Sequence, residues 1–108
     1  MDLSMDLSET GWSIFFKPWQ IATLEYLWET DDPQGSLQVW KNVNEKISGT
    51  VSRASIINFL NASVDKGLLV FVEVSGKGGY RKHYSAKMDR DSTAAYISKK
   101  VNEKLRTL

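Results

Sequence analysis

Arg53, Ser55, Asn58 and Asn61 are side chains of the types that read base edges, and they fall close together. A guanidinium can grip guanine O6 and N7, an asparagine amide can pair with adenine N6 and N7, and a serine hydroxyl suits either a base or a phosphate. Ser52 adds a second hydroxyl next to them. Residues 50–63 hold no acid, so nothing in that stretch repels phosphate. Further on, Lys77, Arg81 and Lys82 gather around a glycine-rich turn, with Tyr80 and His83 interleaved. Cations placed there would neutralise phosphates and release counterions, the main sequence-independent source of nucleic-acid affinity. The blander alternatives are a solvated helix face for the first group and an ordinary hairpin turn for the second.

Other chemistries find little support. The chain has no cysteine, which removes disulfides, thiolate catalysis and Cys-ligated zinc. His83 is the sole histidine and has no clustered carboxylates beside it, a poor basis for a metal site or a triad. The GKGG piece at 76–79 lacks P-loop spacing and the Lys-Ser/Thr ending. Asp31 and Asp32 read as turn residues. No acid/base pair accompanies a nucleophile, so neither an enzyme nor a cofactor nor a metal is expected.

The elements that must carry these side chains follow from periodicity. Pro18 suits the first position of a helix, and Ile21, Leu24, Leu27 and Trp28 recur at helical spacing to about residue 29. Residues 31–35 (DDPQG) signal a turn. Ser36 is expected to cap a second helix whose face is Leu37, Trp40, Val43, Asn44 and Ile47, with Val39 beside it. Ser52 is expected to cap a third, with Ile56, Phe59, Leu60, Ser63 and Val64 inward and Arg53, Ser55, Asn58, Asn61 and Ala62 mainly outward. Gly67 fits the left-handed residue past its end. Residues 68–74 and 80–87 then read as two strands across a Gly-rich turn. Asp89 or Asp91 could cap a last helix with Ala94, Ile97, Val101, Leu105 and Leu108 on one stripe. The aromatic run at 12–16 could be a strand, or an arm packed on a partner subunit.

The 108 residues suit one small domain with an added element for assembly. The expected divisions are a flexible tail at 1–11, a domain at 12–88 and a C-terminal helix at 89–108. Net charge is only +1, but residues 1–35 carry −6 and residues 36–108 carry +7. That segregation points to one face for an anionic partner. No apolar run approaches the roughly 20 residues that span a bilayer, and no secretory signal is evident at the start. A cytoplasmic protein without a membrane partner is expected. The MDLS at 1–4, repeated at 5–8, is assigned no function.

Three helices, a basic hairpin and a further helix make a mainly α chain with a small β-hairpin (α+β). That is the layout of a winged helix-turn-helix with an additional C-terminal helix. Residues 18–28 (PWQIATLEYLW), 51–57 (VSRASII) and 65–69 (DKGLL) resemble the penicillinase-repressor (BlaI/MecI) family, and 80–85 (YRKHYS) is similar to its closing wing strand. The MarR-like winged helices are the second resemblance. The likeness covers about residues 17–88. It implies a dimeric repressor of operator DNA, with Arg53, Ala54, Ser55, Asn58 and the wing bases facing the duplex. The family's C-terminal dimerisation region is longer than residues 89–108, so its proteolytic release and dimer mode do not carry over.

The expectation is therefore a homodimeric, sequence-specific regulator of double-stranded DNA, with Ile97, Val101, Leu105 and Leu108 at the dimer interface. A protein-interaction winged helix without DNA activity is the alternative. A small-molecule effector held between Trp19, Trp28, Trp40 and the last helix is a third reading, with core packing the plainer explanation of those tryptophans.

Overall fold

Gln20 starts the first helix, its side-chain oxygen accepting from the Lys17 backbone N–H at 2.9 Å just ahead of Pro18. Helix α1 (Pro18–Glu29) turns Ala22, Thr23, Leu24 and Leu27 inward. The computed structural model describes residues 4–76 and 78–108. Three more helices follow, α2 (Ser36–Lys46), α3 (Arg53–Asp65) and α4 (Arg90–Leu105), with strands β1 (Gln34–Gly35), β2 (Leu69–Gly76) and β3 (Gly79–Ala86).

The sheet is antiparallel and three-stranded, in the order β1-β3-β2. Its third strand corrects the expectation of a bare hairpin. The DDPQG segment does turn, but its last two residues pair with β3, Gln34 with Tyr84 and Gly35 with His83. Two residues carry no readable alternation, which is why the strand is hidden in the sequence. Gln34 is pinned from both sides, accepting from the Tyr26 phenol at 2.7 Å and donating to the Asp32 carbonyl at 2.9 Å.

Ser36 is the first residue of α2 and not its cap. Gly35 takes the cap position and offers no side-chain acceptor. The buried face differs in part from expectation, with Val39 replacing Leu37 beside Val43. Val39 and Val43, one helical turn apart, are fully buried, whereas Leu37 lies at the exposed margin. The turn between α2 and α3 is fixed by side chains. Val51 N–H donates to Asn44 Oδ1 at 2.8 Å, and the Trp40 indole N–H donates to the Val51 carbonyl at 2.9 Å.

Helix α3 behaves as its sequence suggests. Ser52 Oγ accepts from the Ser55 N–H at 3.1 Å, and Ile56, Phe59, Leu60 and Ser63 are buried. Its end is a Schellman turn: Gly67 at φ +80° donates to the Val64 carbonyl and Leu68 donates to that of Ser63.

The core joins Leu24, Leu27, Val39, Val43, Ile56, Phe59, Leu60, Leu68, Leu69 and Tyr84 to Ile97 of α4. Each fully buried leucine or isoleucine contributes about 1.5–3 kcal/mol. The aromatic run at 12–16 is not a strand, and it packs on its own chain. Residues Gly11–Ile14 form a 3-10 turn, and Phe16 is buried edge-on against Phe59 at 6.1 Å. Trp12 meets Trp28 at 5.1 Å. Alternating side chains on a strand would leave half of these aromatics in water, whereas a tight turn folds most of them onto α1 and α3. Among the described residues before it, the Asp6 N–H donates to the Ile14 carbonyl at 2.7 Å.

Asp89, one of the two expected caps, starts α4 by accepting from the Ser92 N–H at 2.7 Å. The helix is tied back by Tyr96, whose phenol donates to the Lys66 carbonyl at 3.1 Å, and by Arg90, paired with Glu25 at 3.3 Å. No described helix is long and apolar enough to cross a membrane.

Candidate nucleic-acid interface

The uncapped N-terminus of α2 lies where α3 and the sheet meet. Arg53 reaches it from α3, its guanidinium donating to Ser36 Oγ at 3.3 Å. His83 reaches it from β3. A Cβ added at Gly35 would stand 3.2 Å from His83 Nε2 and 3.1 Å from Gln38 Oε1, so any larger residue would push these side chains back by a few tenths of an ångström. One guanidinium and one imidazole thus flank a helix end whose first N–H groups and dipole favour an anion. The sequence singles out Arg53 and His83 separately. It gives no sign that Ser36 and Gly35 belong to this site, because β1 is what brings them to His83.

Along α3, Ser52, Arg53, Ala54 and Asn58 are exposed, with Ser55 at their margin. The Ser52 hydroxyl is committed to the cap and also donates to Ser55 Oγ at 2.9 Å. Asn58 is engaged by no described residue and is available to a partner. Asn61 is placed differently. It is half-buried, and its amide oxygen accepts from the Tyr84 phenol at 2.6 Å. Burial pushes the Tyr84 phenol above its ordinary pKa, which keeps that donor protonated. Asn61 therefore braces the sheet against α3, and its carbonyl is not free for adenine.

The strand pleat divides the wing side chains that the sequence groups together. Neighbours along β3 point to opposite faces. Tyr80 and Lys82 share the face of Tyr84; Arg81 and His83 share the other. Tyr80 is 78% exposed and Arg81 is exposed. Lys82 lies 4.6 Å above the Phe71 ring. Lys77 lies outside the described residues.

The acids of α1 are turned elsewhere. Glu25 pairs with Arg90, and Glu29 pairs with Lys46 at 3.8 Å.

The expected dimer stripe splits in two. Ile97 is 2% exposed and belongs to the domain's own core, and Val101 packs at its edge. Leu105 and Leu108 remain 50% and 98% exposed. An open groove of about 510 Å³ separates α4 from the aromatic turn, with Trp12, Phe15, Ala94 and Val101 among its walls. Trp19, Trp28 and Trp40 do not converge on one pocket. Trp19 packs on Phe59 at 5.4 Å, Trp28 on Trp12, and Trp40 on the turn after α2. Among the described residues no group of three His, Asp or Glu side chains could hold a metal ion.

No protein-family model matches the chain, and no curated protein matches it. Several solved structures are similar to it in fold, two of which are these. A proposed transcriptional regulator from Thermoplasma acidophilum superposes with a TM-score of 0.58 at 17% identity, over 82% of this chain and 89% of that one. A PadR-like transcription factor from Bacteroides fragilis superposes with a TM-score of 0.56 at 18% identity, over 83% and 86% of the two chains. The fold is a winged helix with a fourth, C-terminal helix.

Proposed function

We propose that the chain is a sequence-specific regulator of transcription that binds double-stranded DNA as a homodimer and represses by occupying its operator. The observation that carries this reading is the meeting of Arg53 and His83 at the bare N-terminus of α2, beside an outer face of α3 that holds no acid before Asp65. A phosphate seated on α2 would orient the domain, and Arg53, Ser55 and Asn58 would then face the major groove. Arg81 and Tyr80 would follow the adjacent backbone. The names of the two similar structures support a regulator, and the resemblance of residues 18–28, 51–57 and 65–69 to the penicillinase repressors favours repression. Leu105, Leu108 and the groove beside Val101 supply apolar surface for a twin, and two half-sites raise both affinity and selectivity.

The test is DNA binding by the wild type, Arg53→Ala and Arg81→Ala/Lys82→Ala, using a sequence selected from a random pool and a scrambled control. Arg53→Ala is expected to lose discrimination. The double variant is expected to weaken both complexes and to flatten the salt dependence, by about one unit of slope for each phosphate it no longer neutralises. If all three proteins bind both DNAs alike, readout by α3 is wrong.

The protein-interaction alternative has one observation of its own. Val70, Val72 and Val74 are exposed on one face of β2.

A further inference from the structure

Strand β2 is an edge. It pairs with β3 on one side only, and every residue from Val70 to Gly76 is exposed. Alternate residues of such a strand turn their N–H and C=O groups away from the sheet, so one full side of the ladder is unpaired. Proteins usually protect such an edge with a lysine, a proline or a bulge. Residues 69–76 (LVFVEVSG) contain neither lysine nor proline, and their register with β3 runs without interruption from Leu69–Ala86 to Gly76–Gly79.

We propose that β2 pairs antiparallel with β2 of a second copy about a two-fold axis at Val72, joining the two sheets edge to edge. The sequence of the strand is self-complementary in that register. Val72 meets the partner's Val72, and Val70 meets the partner's Val74, so three valine pairs form one continuous row on one face. On the other face Phe71 meets the partner's Glu73. The Phe71 ring already carries Lys82 at 4.6 Å, so the incoming carboxylate reaches a cation held in place. Each Glu73 is then flanked by its own Lys82, its neighbour in the β2–β3 ladder, and by the partner's Lys82. Moving the axis to residue 73 would put Glu73 against Glu73, and a one-residue shift would set valines against the charged face. Charge complementarity thus favours a second copy over an unrelated strand. The interface uses neither α3 nor α4; it shares Lys82 with the wing, and its cross-linking test is run without DNA.

The cysteine-free chain makes the test direct. Val72→Cys places a thiol on the axis, opposite its twin. Val74→Cys places it four residues out of step, about 13 Å along the strand from its twin, beyond the roughly 7 Å Cα separation that a disulfide spans. Mild oxidation of dilute protein without DNA, read on a non-reducing denaturing gel, is expected to give covalent dimer from Val72→Cys and not from Val74→Cys. Both substitutions are at exposed positions and leave the core intact. Glu73→Lys is expected to weaken association about ten-fold in sedimentation, and Glu73→Lys/Lys82→Glu to restore it. Equal cross-linking of both cysteine variants, or none from Val72→Cys, overturns the proposal. The second result leaves the edge to another protein's strand or to none.

Discussion

The phenol of Tyr84 in β3 donates to the amide oxygen of Asn61 in α3 at 2.6 Å. This bond joins the wing to the helix proposed to read bases, so the angle between them is set inside the domain. The same helix is held at its far end by Tyr96 from α4 and at its start by the Trp40–Val51 hydrogen bond. Three elements therefore position α3, and loosening any of these joints, or the packing around them, has a measurable consequence.

Tyr84→Phe is expected to cost about 1 kcal/mol of stability, because it leaves Asn61 without its donor. Burial raises the pKa of the phenol, so the folded state favours the neutral form. Stability is then full below the ordinary value of 10.0 and falls as pH rises through the raised value. Urea melts at alkaline pH should show a shallower loss for Tyr84→Phe. Tyr26, also raised by burial, retains a smaller loss.

Gly67→Ala forces a side chain into φ +80° and puts its Cβ 2.8 Å from the Tyr96 hydroxyl. The backbone strain alone costs about 1–2 kcal/mol. Adding Tyr96→Phe removes the clash but not the strain. The double variant should therefore be more stable than the sum of the two single changes, as read in a double-mutant cycle of urea melts.

Ser63 presents a hydroxyl that is buried and has no hydrogen-bond partner among the described residues. Ser63→Ala removes an unsatisfied polar group and improves helix propensity. It is expected to stabilise the protein by about 1 kcal/mol, seen as a higher urea midpoint at unchanged slope.

Phe16→Ala is expected to cost about 3–4 kcal/mol, the usual penalty for emptying a buried aromatic site. Because Phe16 packs on Phe59 of its own chain, the loss should be independent of protein concentration. A loss that disappears on dilution would mean that Phe16 packs on a partner subunit instead.

Hydrogen bonds from the backbone N–H and then the side chain of Ser92 hold the Asp89 carboxyl below its usual pKa. A depressed carboxylate contributes stability above its unfolded pKa, and that contribution is lost as pH falls through the folded value. Asp89→Asn should flatten the acid side of the stability profile in thermal melts between neutral pH and pH values below the ordinary aspartate range.

Several features are legible in the sequence because each rests on local rules. Pro18 at a helix start, Ser52 as a cap, Gly67 in a Schellman turn and the buried Ile56–Phe59–Leu60 face depend only on near neighbours in the chain. The two long strands are legible for the same reason. The inner face of α2 is legible only in part: Val43 is expected there, but packing against α1 and α3 selects Val39 over Leu37 as its partner.

Of the proposed interface, the sequence by itself determined the residue types: an α3 without acids before Asp65, a basic wing and an excess of acids in the first third. Tertiary structure decided which of them meet. A two-residue strand with no periodicity brings Gly35 and Ser36 to His83 and Arg53. The pleat separates Arg81 from Lys82, and burial turns Asn61 into a brace and Ile97 into core. These outcomes depend on meetings between residues tens of positions apart. Spacing along the chain fixes which face a side chain can take, but only packing between elements fixes what that face meets.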